Sequence, residues 1–154
     1  MAFHIVLVEP EIPANTGNIA RTCAATGTHL HLVRPLGFQT DDRTLKRAGL
    51  DYWHAVHVEY HDSFQEVMDQ NPESRFFFAS TRAEKRYSDF RYEDGDFFVF
   101  GKETKGLPQE LLDTHPQTCM RMPMTDKVRS LNLSNSAAII VFEALRQTGF
   151  PGME

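Results

Sequence analysis

The chain reads as a single α/β domain built on a parallel sheet. Three observations predict this. Strand-length apolar runs alternate with helix-length segments from end to end. Several runs, above all Phe76-Phe77-Phe78 and Phe97-Phe98-Val99-Phe100, are apolar without interruption, as in strands covered on both faces. Two loops rich in glycine and small polar residues follow such runs directly, and open α/β sheets bind ligands beyond the carboxyl ends of their strands.

In order along the chain, His4 to Val8 is a first strand. Asn15 or Thr16 can cap a helix running to about Ala25, with Gly27 as its stop. Leu30 to Val33 is a second strand, broken by Pro35 and Gly37; Asp41 or Asp42 can cap a helix through Ala48, ended by Gly49. His54 to Val58 is a weaker strand and Ser63 to Asp69 a short helix. Arg75 to Ser80 and Phe97 to Phe100 are dense strands, and Pro108 suits the first turn of a helix. Thr118 to Met122 is the last strand and Ser134 to Gln147 the last helix. That helix carries Ala137, Ala138, Ile139, Ile140, Val141, Phe142, Ala144 and Leu145 on nearly every side, whereas a surface helix shows one apolar stripe. A second copy of the chain is the economical cover, and two-fold dimers are the commonest closed assembly.

The bulk numbers agree with one soluble domain. The chain has 154 residues, 41% apolar and 24% charged, with no apolar run long enough to span a membrane and no signal-peptide pattern at its start. Cys23 and Cys119 are far apart and match no metal or redox spacing, which fits a reducing cytoplasm. The net charge of −5 argues mildly against nucleic acid as a partner, but it says nothing of local patches.

Three segments carry candidate chemistry. Asn15-Thr16-Gly17-Asn18-Ile19-Ala20-Arg21 sits at a helix start, where backbone N–H groups can meet a phosphate and Arg21 can fork onto one. By itself it is equally a well-capped helix with a solvated arginine. Phe100-Gly101-Lys102-Glu103-Thr104-Lys105-Gly106-Leu107-Pro108 lets the backbone approach a ligand closely, with Glu103 its only carboxylate; alone it is also a charged surface turn. Met122-Pro123-Met124 leads to Ser130-Leu131-Asn132-Leu133-Ser134-Asn135, which offers hydroxyls and amides ahead of the last helix, or simply a cap at Ser134.

In this order the segments resemble the three motifs of the SpoU/TrmH group of SPOUT RNA methyltransferases: Asn-x-Gly-Asn-x-x-Arg, Phe-Gly-x-Glu-x-x-Gly-Leu and Pro-Met…Ser-Leu-Asn-x-Ser. The similarity covers almost the whole chain. The short length, Glu9-Pro10-Glu11-Ile12-Pro13 and Arg47-Ala48-Gly49-Leu50-Asp51-Tyr52 narrow it to the branch that methylates the tRNA wobble ribose. The resemblance implies a SPOUT fold with a C-terminal deep trefoil knot and a homodimer. It also implies S-adenosylmethionine as methyl donor, with no metal. The expected substrate is a wobble cytidine or uridine in the anticodon stem-loop of tRNA, in leucine isoacceptors. It places Arg21, Asn15, Glu103, Ser130 and Asn132 at the reacting hydroxyl, with Glu103 orienting Arg21. Ala79, Ser80, Gly101, Glu103, Gly106, Met122, Ser130, Leu131 and Leu133 should hold the cofactor, Ala79 through its backbone. Phe142 departs from the group, where relatives often carry tyrosine.

RNA contact must come from local clusters: Arg43, Lys46 and Arg47 at helical spacing; Arg82, Lys85, Arg86 and Arg91; and Lys127 with Arg129. Trp53 can stack on a base but is more often a packing residue. His29 and His31 alternate along a strand, and His54, His57 and His61 fall close together, with no cysteine or carboxylate set completing a metal site by spacing. Three rival readings remain: a noncatalytic nucleic-acid-binding or scaffold protein that keeps the fold, a dinucleotide-dependent oxidoreductase, and, within the methyltransferase class, a different RNA position or a ribosomal RNA target. The second needs a G-x-G-x-x-G turn after the first strand, where Glu9-Pro10-Glu11-Ile12 stands instead.

Overall fold

In the computed structural model, residues 2–39 and 50–154 are described, with Arg43 and Arg47 between them. Six strands form one all-parallel sheet in the order β3-β2-β1-β5-β4-β6. They are β1 (His4–Val8), β2 (His29–Val33), β3 (Val58–His61), β4 (Phe76–Ala79), β5 (Phe97–Phe100) and β6 (Cys119–Met120). The helices whose bounds are described are α1 (Pro13–Thr26), α2 (Phe64–Gln70), α3 (Gln109–Thr114) and α4 (Leu133–Gln147).

The uninterrupted apolar strands lie where that pattern requires, in the middle of the sheet. Because alternate residues point to opposite faces, Ile5, Leu7, Leu30, Leu32, Phe77, Phe98 and Phe100 pack under α1 and α4. Val6, Val8, Val33, Phe78, Phe97 and Val99 pack on the other side, against Phe64 and Val67 of α2 and Leu111 and Leu112 of α3. Phe98 is fully buried and meets the rings of Phe3, Phe77 and Tyr92.

Several boundaries differ from the sequence reading. α1 starts at Pro13, two residues before Asn15, because proline's fixed φ and missing N–H suit the first helical position. Asn15 and Thr16 are therefore buried helical residues rather than caps, while Gly27 closes the helix as expected, at φ 73°. The weak strand expected at His54–Val58 is displaced: a 3-10 turn spans Leu50–Ala55, and β3 follows at Val58–His61. β6 is shorter than Thr118–Met122, because a 3-10 turn occupies Pro116–Thr118. Pro108 flanks α3 instead of lying in its first turn. Asn132, not Ser134, caps α4. Of the helix expected at 41–48, only Arg43 and Arg47 are described, both helical and exposed.

α4 is not uniformly covered. Ala137, Ile140, Val141, Ala144 and Leu145 are buried, whereas Ile139 and Phe142 are 40% and 43% exposed. The histidines on the α2 side also depart from the sequence reading. Glu59 stands among them, so a carboxylate does accompany the rings. Burial and the neighbouring His29 lower His4 to about 4, and burial with His4 and His61 alongside lowers His31 to about 3.

Truncating the most enclosed ring tests the packing scheme. Phe98→Ala should cost about 3–5 kcal/mol by the lost transfer energy plus a residual cavity. Urea unfolding with an unchanged m-value would report it.

Candidate active site

The carboxyl ends of β1, β4, β5 and β6 open onto a cleft of about 930 Å³ lined by Val8, Ala79, Phe100 and Met120 at the strand ends. Its walls are loops. Ser80 follows β4, Gly101 to Gly106 follow β5, and Met122, Ser130, Leu131 and Asn132 precede α4. Glu9, Ile12 and Asn15 come from the turn into α1.

The loop after β5 folds back on itself. The Gly106 N–H donates to the Lys102 carbonyl at 2.8 Å, with Gly106 in the left-handed region at φ 69°. Gly101 then lies so close to the returning strand that a Cβ there would stand 2.0 Å from the Gly106 carbonyl carbon. Only glycine allows that approach.

Glu103 is aimed at the start of α1. Its carboxylate accepts the backbone N–H groups of Glu11 and Ile12, each at 2.8 Å, and the Asn15 side-chain amide at 3.1 Å. A carboxylate at a helix N-terminus is favoured by the exposed amide donors and the helix dipole. The clasp is reciprocal, because the Thr104 N–H and hydroxyl donate to the Glu11 carboxylate at 3.1 and 2.7 Å. Those bonds hold the Glu11 carboxyl below its ordinary range. Lys102 Nζ approaches Glu9 at 3.6 Å across the same pair of loops.

The network continues into the third loop. Asn132 Nδ2 donates to Asn15 Oδ1 at 3.1 Å, and Asn132 Oδ1 accepts the N–H groups of Ser134 and Asn135 at 2.9 and 3.2 Å. The Ser134 hydroxyl adds a bond at 2.6 Å. One connected chain, Glu103–Asn15–Asn132, thus joins the starts of α1 and α4 to the loop after β5. Those residues are separated by 88 and 117 positions in sequence.

The structure brings together Asn15, Ala79, Ser80, Gly101, Glu103, Gly106, Met122, Ser130, Leu131, Asn132 and Leu133, all of which line the cleft. Arg21 is not among the lining residues. It is exposed on α1, with its guanidinium 5.0 Å from the centre of the Tyr52 ring, and the Glu103 carboxylate bonds Glu11, Ile12 and Asn15 rather than Arg21. Arg82 and Arg129 sit at the rim, whereas Lys85 and Arg86 turn to Phe90 and Asp89. Lys46 lies outside the described residues. Sequence reasoning missed Glu11 and Thr104, whose pairing has no local signal because it joins positions 93 apart.

A cleft at the carboxyl ends of parallel strands, walled by these three loops, is the site of an α/β protein that takes a small ligand. The sequence pattern of the SpoU rRNA methylases matches residues 2–142, and the chain belongs to that family. A Bacillus subtilis (strain 168) protein, provisionally named as a tRNA (cytidine(34)-2'-O)-methyltransferase, is 58% identical over 153 residues, covering 97% of this chain and 96% of that protein. The tRNA (cytidine(34)-2'-O)-methyltransferase of Burkholderia cenocepacia (strain HI2424) is 51% identical over 154 residues, 97% of this chain and 98% of its own. A solved structure described as giving structural insights into the 2-OH methylation of C/U34 on tRNA superposes with a TM-score of 0.91. It is 45% identical, over 96% of this chain and 97% of that one.

Replacing Glu103 by glutamine leaves one acceptor oxygen and a donor facing three N–H groups. The substitution should lower stability by about 1–3 kcal/mol, read as a depressed melting temperature. Gly101→Ala should instead displace the 101–106 loop, read as a loss of ligand-induced thermal stabilisation with the fold retained.

Proposed function

We propose that this chain transfers a methyl group from S-adenosylmethionine to the ribose 2'-oxygen of the tRNA wobble nucleotide, a cytidine or uridine. In this reading it works as a cytoplasmic homodimer on the anticodon stem-loop, with leucine isoacceptors as substrates. The observation that carries the proposal is the Glu103–Asn15–Asn132 chain at a cleft of about 930 Å³, in a protein 51% identical to a relative named for that activity.

The residues present fit the donor. The cleft falls within the roughly 300–1,000 Å³ of small-molecule sites, and Met122, Leu131 and Leu133 give it apolar walls beside the close-packed Gly101 backbone. When bound, S-adenosylmethionine supplies a methyl group on a sulfonium. The protein must hold an RNA hydroxyl in line with that carbon, exclude water and ease proton loss. Positioning of this kind contributes up to ~7–11 kcal/mol, and a dry site favours a step that annihilates opposite charges. Glu103, Asn15 and Asn132 supply the rigid frame, with Ser130 beside it at the cleft wall. The 2'-hydroxyl distinguishes RNA from DNA, and Arg82 and Arg129 at the rim suit its phosphates.

Arg21 stabilises the developing oxyanion and grips an adjacent phosphate, because a guanidinium stays protonated and makes a poor base. Since it stands outside the cleft of its own chain, it serves the cleft of a second copy. The exposed Ile12, Ile139 and Phe142 give such a dimer an apolar contact surface. The C-terminal trefoil knot also belongs to this proposal. It is supported by the way the 85–92 segment borders the C-terminal one: Arg121 exchanges backbone bonds with Lys85 and Tyr87, and the Gln147 side chain bonds the backbones of Phe90 and Tyr92.

Labelled S-adenosylmethionine and bulk tRNA should yield one methylated ribose, mapped to the wobble nucleotide of leucine tRNAs. Binding of the donor without transfer to any RNA would instead support a noncatalytic protein. Arg21→Lys should lose most turnover across the pH range, and full wild-type activity would remove the need for a guanidinium. Mixed dimers of Arg21→Ala with Gly101→Ala should regain activity that neither variant has alone, whereas sites built within one chain would stay silent.

A further inference from the structure

The edge of the sheet away from the cleft carries a second constellation. His29-x-His31 on β2 and His57-x-Glu59-x-His61 entering β3 each lie on one face by the two-residue strand period. Parallel register sets His31 beside Glu59 and Val33 beside His61. We propose that His31 Nδ1, His61 Nε2 and the Glu59 carboxylate bind a divalent transition-metal ion of the zinc type.

The geometry supports this directly. One ligand atom from each of the three residues lies within 4.8 Å of the others. His31 Nδ1 is 3.0 Å from His61 Nε2 and 3.8 Å from Glu59 Oε2. Nitrogens bound to a tetrahedral zinc at ~2.0–2.1 Å stand roughly 3.3 Å apart, so small side-chain rotations admit the ion. Two imidazoles and one carboxylate, with a water in the fourth position, match the donor preferences of zinc.

Each ligand also has an outer partner, as metal-binding histidines and carboxylates usually do. His31 Nε2 faces His4 Nδ1 at 2.9 Å, and His57 Nε2 faces Glu59 Oε2 at 3.0 Å. His61 Nδ1 is buried without a hydrogen-bond partner, and its nearest carboxylate oxygen is Glu66 Oε1 on α2 at 3.5 Å. With a proton on His61 Nδ1 toward Glu66 and one on His31 Nε2 toward His4, the lone pairs of His31 Nδ1 and His61 Nε2 point at each other. A cation between them takes both lone pairs, in place of the His31–His61 hydrogen bond. The Glu59 side chain is 40% exposed and gives the ion a way in. Bound there, the metal ties β3 to β2, protecting a strand that stands at the sheet edge among the described residues. The site lies at the sheet edge away from the cleft and takes no part in methyl transfer.

Titrating zinc chloride into chelator-stripped protein should reveal one saturable site per chain. It should also raise the melting temperature by roughly 5–10 °C at about 100-fold excess over Kd. Magnesium, which prefers an all-oxygen shell, should do neither. Glu66→Gln should weaken zinc by ~10–100-fold through His61 alone, and Glu59→Gln should abolish the visible band of tetrahedral cobalt. Absence of one-to-one zinc uptake by the wild-type protein overturns the proposal. So does a cobalt band that persists in folded Glu59→Gln.

Discussion

Everything at the cleft depends on one carboxylate. Glu103 takes two backbone N–H groups and one side-chain amide at the entry to α1, where Ile12 offers no side-chain cap and the first turn holds no acidic residue. The amino end of α1 is thus completed by a loop that follows β5, so the helix and loop cannot shift independently. Asn15 relays the constraint to Asn132, which in turn caps α4. Three walls of the cleft share one hydrogen-bond network, and preorganised polar groups are what a site must have if it is to hold reacting atoms in line.

That arrangement has a cost, which the sheet offsets. Gly101 and Gly106 give up side-chain packing so that the loop can double back. The neighbouring strands compensate with aromatic mass: Phe77, Phe78, Phe97, Phe98 and Phe100 are buried on both faces, beneath α1 and α4 on one side and α2 and α3 on the other. A rigid floor with adaptable loops at its carboxyl edge is the usual division of labour in parallel sheets. Arg21 stands apart from this division. It is held on α1 by stacking on Tyr52 and faces outward, like Ile139 and Phe142 on α4. These outward features are what make a second copy part of the functional reading.

The two ends of the sheet use polar groups differently. At the cleft, carboxylate and amides satisfy backbone donors and leave a cavity. At the β2–β3 edge, imidazoles and carboxylates satisfy mainly one another, leaving His61 Nδ1 without a bond. A buried polar atom with no partner is uncommon and calls for an explanation; a proton on His61 Nδ1 directed at Glu66 supplies one and leaves Nε2 as the atom facing His31.

Much of this was legible from residues alone. Unbroken apolar runs such as Phe97 to Phe100 need cover on both faces, so the parallel sheet followed from composition at strand scale. Glycine and proline marked the turns, and the three ordered motifs named the loops that line the cleft. Tertiary structure decided what those residues do to each other. Asn15 looked like a cap and became a relay, Ser134 yielded its capping role to Asn132, Arg21 stayed outside the cleft, and Glu59 joined His31 and His61. The physical reason is range. Strand period, helix capping and turn chemistry act within a few residues, whereas Glu103 meets Asn15 across 88 positions and Asn132 meets it across 117, contacts that exist only once the sheet has brought the loops together.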